Sequence, residues 1–76
     1  MPYIAKPSPC FLDSFEFYKV IGSRKVYRNN GLYYSWDELH GEIEVFDKRG
    51  FHLGALHPIN GDKIKKAVKG RRLNVQ

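Results

Sequence analysis

The chain has 76 residues, a formal net charge of +5, five tyrosines, five phenylalanines, one tryptophan and one cysteine. That length permits one small domain, for which the aromatic side chains supply much of the area a modest core must bury. A lone cysteine, Cys10, excludes an internal disulfide and a multi-cysteine zinc site. No apolar run approaches a membrane span or a signal-peptide core.

Residues 1–9 hold Pro2, Pro7 and Pro9 and little to bury, and read as an extended lead-in. Ser8-Pro9 has the pattern of a helix N-cap followed by proline at the first helical position. Phe11, Leu12, Phe15 and Tyr18 then follow helical spacing, with Gly22 placed to close the helix. Phe15, Phe17 and Ile21 also alternate, so a strand over 15–21 competes, and a short helix passing into a strand is the expectation. Lys25-Val26-Tyr27-Arg28 is a brief strand, Asn29-Asn30-Gly31 a turn, and Leu32–Trp36 the start of the next strand.

Residues 33–46 are the most informative stretch. From Leu39 the pattern has period two, with Leu39, Ile43 and Val45 on one face and His40, Glu42 and Glu44 on the other. Such a strand sets its apolar face on a core and leaves the other open. An imidazole and two carboxylates are an unusual covering for an open face. Asp37 has the wrong parity to join them unless a bulge or bend near Leu39 or Gly41 brings it round. Asp47-Lys48-Arg49-Gly50 is a tight turn, and Phe51–His57 returns as the second half of a hairpin with Glu42–Phe46. Pro58–Asp62 turns the chain into a last strand over Lys63–Val68, which Gly70 ends. Four to five strands with turns between them predict a mainly β protein: one small, highly twisted antiparallel sheet with a short N-terminal helix. Residues 1–76 read as a single domain.

Lys63, Lys65, Lys66, Lys69, Arg71 and Arg72 lie within residues 63–76 with no acid among them. A basic segment beside an acidic cluster points to a polyanionic partner, although a basic segment standing alone reads equally as a solvated end.

The run Tyr34-x-Trp36-Asp37-x-x-His40-Gly41-Glu42-Ile43-Glu44 resembles the active-site strand of the ribosome-inactivating colicins and cloacin. The likeness continues through Gly50-x-His52-Leu53-Gly54, Pro58-x-x-Gly61 and the basic tail, and so spans residues 34–73. It implies a nuclease domain from the C-terminal end of a secreted bacterial toxin, or the same domain on a contact-dependent growth inhibition protein. Such a domain is released by the producing bacterium and acts in the cytoplasm of its target cell. It cuts the small-subunit ribosomal RNA in the decoding site. By this resemblance Asp37, His40 and Glu44 match catalytic positions, Glu42 an acidic position beside them, and Arg71 or the adjacent Arg72 a C-terminal arginine. The resemblance also implies a dedicated immunity protein, and the charge of +5 suggests an acidic one.

Metal-free RNA cleavage needs a base for the ribose 2′-hydroxyl, an acid for the leaving 5′-oxygen, and a cation for the charged phosphorus centre. Glu44 is read as the base, His40 as the acid, Arg71 as the clamp, and Asp37 as the group orienting His40 or the ribose. The acid and base roles of His40 and Glu44 remain exchangeable. Crowded carboxylates at 37, 42 and 44 should push at least one carboxyl upward. Lys63, Lys65, Lys66, Lys69, Arg72 and Trp36 are the expected RNA contacts, and no cofactor or metal is called for. Two rivals stand beside this reading. Asp37, His40, Glu42 and Glu44 together could hold a divalent ion in a metal-dependent nuclease. A small basic sheet with exposed aromatics could equally be a non-catalytic RNA-binding module. Each residue also has a plainer account: glutamates on an edge strand discourage aggregation, and Tyr33, Tyr34 and Trp36 suit sheet packing. His52 and His57 read as structural.

Overall fold

Glycine- and asparagine-bearing turns divide the chain into six short strands. These are β1 (Glu16–Ile21), β2 (Arg24–Asn29), β3 (Leu32–Asp37), β4 (Glu42–Phe46), β5 (His52–Leu56) and β6 (Lys63–Lys66), in a computed structural model that describes residues 3–75. Each strand pairs antiparallel with the next, so sheet order equals chain order. The mainly β antiparallel sheet is as expected, with six strands instead of four or five. The count rises because residues 32–46 are not one continuous run: a turn over Glu38–Gly41 separates β3 from β4.

The N-terminal helix is shorter than its spacing predicts. A single 3-10 turn, Phe11–Ser14, replaces a helix reaching Tyr18, and the Ser8-Pro9 cap is not used. Cys10 occupies the cap position instead, where its N–H donates to Asp13 Oδ2 at 2.8 Å. From Glu16 the chain is claimed by pairing with β2, beginning at Glu16↔Arg28. The competing strand alternation therefore prevails there, since the ladder satisfies backbone groups that one more helical turn would have left at an exposed end.

One sheet face is covered by this N-terminal turn. Cys10 and Leu12 pack with Tyr34, Ile43 and Val45, and Phe15 lies 4.6 Å from the Tyr34 ring between centroids. The Phe11 N–H donates to Pro58 O at 2.7 Å, which ties the turn to the loop before β6. The opposite face is covered by the segment after β6. Its backbone pairs with residues 50–52 through His52 N–H to Arg71 O (3.0 Å) and Leu73 N–H to Gly50 O (2.7 Å). Val75 is buried at its far end, and Tyr18 Oη donates to Val75 O at 2.6 Å. As a result all five residues of β4 are buried, the polar ones included. The half-open strand inferred from alternation is closed on both faces.

Candidate active site

Direct antiparallel partners place their side chains on the same face of a sheet. The register pairs Ser35 with Glu44 and Asp37 with Glu42, so these four residues share the face beneath the C-terminal segment. Val26 pairs with Ser35, Glu44 with Ala55, and Ala55 with Lys65, which extends the row from β2 to β6. Arg24 is two residues before Val26 and therefore lies on the same side of β2.

Leu39 and His40 belong to the turn and not to β4, and Leu39 is exposed, contrary to the inward place its parity assigned it. The turn also does what the parity of Asp37 seemed to forbid. Asp37 Oδ1 accepts the N–H groups of Leu39 (3.0 Å) and His40 (3.3 Å), and Oδ2 lies 2.8 Å from His40 Nδ1. Burial pushes the Asp37 carboxyl up, but the His40 ring and these two N–H groups outweigh it and hold the carboxyl below its ordinary value. The upward push expected from crowding does not operate on Asp37, because its oxygens face donors. The His40 side chain is 56% exposed against 7% for Asp37, so a fixed carboxylate presents an accessible ring.

Glu44 is 2% exposed and surrounded by cations. Arg71 Nη2 lies 2.6 Å from Oε1 and 2.8 Å from Oε2, and Arg24 Nη1 bonds Oε2. The two guanidinium groups come from opposite ends of the sheet and are partly exposed. A carboxylate anchoring two arginines leaves this trio one positive charge in excess, at a partly exposed surface suited to an anion. Arg72 turns away, donating Nε to Arg49 O at 3.0 Å and stacking on Phe51. Glu42 Oε1 takes Lys65 Nζ at 2.6 Å, while Glu42 Oε2 and Ser35 Oγ are buried without a hydrogen-bond partner among the described residues.

The other expected RNA contacts do not converge here. Lys66 is in register with Gly54 and, through it, with Val45, on the opposite face. Lys63 also lines a groove of that face with Tyr34, Val45 and Leu56. Lys69 is exposed beyond β6. Trp36 pairs with Ile43 on the core side and donates Nε1 to Ile4 O at 2.8 Å. Among the described residues no three His, Cys, Asp or Glu side chains are grouped to hold a metal ion; Glu42 and Glu44 turn oxygens to lysine and arginine instead.

Two neighbours of Glu44 are not among the expected site residues: Arg24, and His52, which falls within the family likeness but reads as structural. Arg24 lies twenty positions away in the chain, and only the β2–β3–β4 register reveals it. His52 is buried with Nε2 3.4 Å from Glu44 Oε1, while its Nδ1 accepts the Val68 N–H at 2.9 Å. The neutral ring therefore carries its proton on Nε2, toward Glu44. Burial lowers its pKa from the ordinary 6.5, and nearby Arg71 adds to this against the pull of Glu44. Unfolding lets His52 take up a proton that the folded state refuses, so stability rises with pH between the folded and unfolded pKa values and is lost on acidification below about 6.5. Asp37 contributes with the same sign lower down, as its carboxyl protonates through and below 3.8. Melting temperatures recorded from about pH 8 to about pH 5 should fall across the lower half of that range, as the unfolding free energy drops by at most about 1.4 kcal/mol per pH unit for this one proton. His52→Gln should flatten the fall, and a profile unchanged by the substitution would assign it to another group.

This face thus sets an imidazole and three acids among cations on a small antiparallel sheet. The model of the family described as Cytotoxic matches residues 19–74, from within β1 to the segment that carries Arg71. The chain belongs to the Cytotoxic family. No curated protein matches it.

Proposed function

We propose that the chain is an endoribonuclease toxin that cleaves small-subunit ribosomal RNA at the decoding site, as the colicins and cloacin it resembles do. The observation that carries this reading is the pairing on one face of an oriented, accessible imidazole (His40 on Asp37) with a carboxylate flanked by two arginines (Glu44 with Arg71 and Arg24). Membership of the Cytotoxic family supports it.

An incoming phosphate competes with Glu44 for the guanidinium groups of Arg71 and Arg24, which then clamp the pentacoordinate centre as charge builds on it. Glu44, released from them, takes the proton of the 2′-hydroxyl. That oxygen attacks phosphorus, and the 5′-oxygen leaves with a proton from His40 Nε2, the ring nitrogen opposite the one Asp37 holds. Glu42 and Lys65 extend the polar floor. The acidic groups then have a positive surround that suits both RNA and an acidic immunity protein made by the same cell. Entry into a target cell follows secretion or surface delivery by the producing bacterium.

Incubation with intact ribosomes, followed by mass spectrometry of the cut ends, tests the chemistry. A 2′,3′-cyclic phosphate and a 5′-hydroxyl are expected, and cleavage should survive excess chelator. A 3′-hydroxyl end would exclude attack by the 2′-oxygen.

A further inference from the structure

We infer that the groove between the N-terminal lead-in and the β2–β3 end of the sheet is a subsite for one nucleobase of a single-stranded RNA segment, beside the phosphate held by Arg24 and Arg71. The inference rests on the nuclease reading for its substrate and on separate geometry for its place. The groove encloses about 530 Å³, within the usual size of small-ligand clefts. Its aromatic walls are Tyr3, Tyr27 and Trp36, and its cations are Lys6, Arg24 and Lys25. It shares Arg24 and Asp37 with the acidic cluster, so a strand crossing the cluster runs into it.

The lead-in is fixed in place as a wall. The Ile4 N–H donates to Glu38 O at 2.7 Å, and Ile4 O accepts Trp36 Nε1–H at 2.8 Å. These two bonds stand Tyr3, itself 61% exposed, at the mouth of the groove. They also satisfy the one polar atom of the indole, which leaves its ring to stack. Aromatic rings with cations around them are how proteins grip single strands without reading sequence. An acidic peptide suits the cations but meets Asp37 and Glu38 on the same lining, whereas a neutral base with amino donors does not suffer that repulsion. Tyr3 and Lys6 precede the residues matched by the family, 19–74, so this wall is a contribution of the chain's own lead-in.

Trp36 is the sole tryptophan, and its fluorescence reports on the groove directly. The probe is a tetranucleotide of 2′-O-methyl RNA, which has no free 2′-hydroxyl to react, titrated alongside versions made abasic at each position and alongside tetraglutamate. Binding should quench Trp36, Tyr3→Ala should weaken binding by about tenfold or more, and one abasic version should weaken it comparably. Tyr3→Ala should melt with the wild type, because its side chain is exposed. Equal binding of all abasic versions, or quenching by tetraglutamate at the same concentration, would overturn the subsite. Ribosome cleavage without any quenching would overturn it while leaving the nuclease reading intact. Base-dependent quenching in a chain that never cuts ribosomes would support the subsite and sink the nuclease reading alone.

Discussion

Replacing His40 with alanine is expected to slow ribosomal RNA cleavage by about 10²–10⁴-fold, the usual contribution of a positioned acid or base, with the melting temperature roughly unchanged. The two halves of that expectation have separate grounds. His40 projects from a turn with more than half of its side chain in solvent, so little packing is lost. Asp37, left without the ring, keeps the N–H groups of Leu39 and residue 40 on Oδ1 and loses only the Nδ1 partner of Oδ2, so a small fall in melting temperature is the most that is expected. Cleavage within about tenfold of wild type would remove His40 from the chemistry. Glu44→Gln supplies the contrast. If the chain only binds RNA, removing a negative charge tightens binding, most visibly at low salt. If it is a nuclease, binding changes little and cleavage is lost.

The second large effect concerns Gly50→Ala, in the turn between β4 and β5. Gly50 has φ +91°, and a Cβ there would collide with Leu73 O, the residue whose N–H donates to Gly50 O at 2.7 Å. The conformation alone costs a side chain about 1–3 kcal/mol, and the collision forces apart the ladder that holds Arg71 over Glu44. Gly22→Ala is the control. Gly22 also has positive φ, +55°, with nothing within 4 Å of its Cβ, so it carries strain without collision. Gly50→Ala should melt lower than Gly22→Ala. At a temperature where both are folded it should lose cleavage by about 10²–10³-fold, as when an electrostatic clamp is removed, while Gly22→Ala keeps it. Equal behaviour of the two variants would mean that the segment after β6 does not depend on the close approach at residue 50.

Much of the sheet was legible because its turns are written in residues with few alternatives. The turns expected at Asn29-Asn30-Gly31, Asp47–Gly50 and Pro58–Asp62 all form, the first at Asn30-Gly31 directly after β2. The turn over Glu38–Gly41 was legible only as an alternative bend near Leu39 or Gly41, because Leu39 and His40 continue the alternation of β4. The decisive features are an Asp37 side chain capping the turn's N–H groups and bonding His40, which a period-two template does not register. The same template cannot tell an open face from one covered by a distant segment, so Glu42 and Glu44 read as solvated. At the N-terminus two periodicities overlapped over Phe15–Ile21, and partner availability decided between them. Asp37, His40, Glu44 and Arg71 were accessible as candidates through family likeness. Arg24 was not, because its nearness to Glu44 depends on register, and His52, although inside the same likeness, reads as structural.

The sheet is a meander in which every ladder joins chain neighbours, so each hairpin can zip as soon as its second strand exists. Glu44 gathers partners from both flanks of that meander, one from β2 and one from beyond β6. Cleaving the backbone between β6 and Arg71 would therefore spare the pairing of the six strands and free from them the segment that brings Arg71 to Glu44.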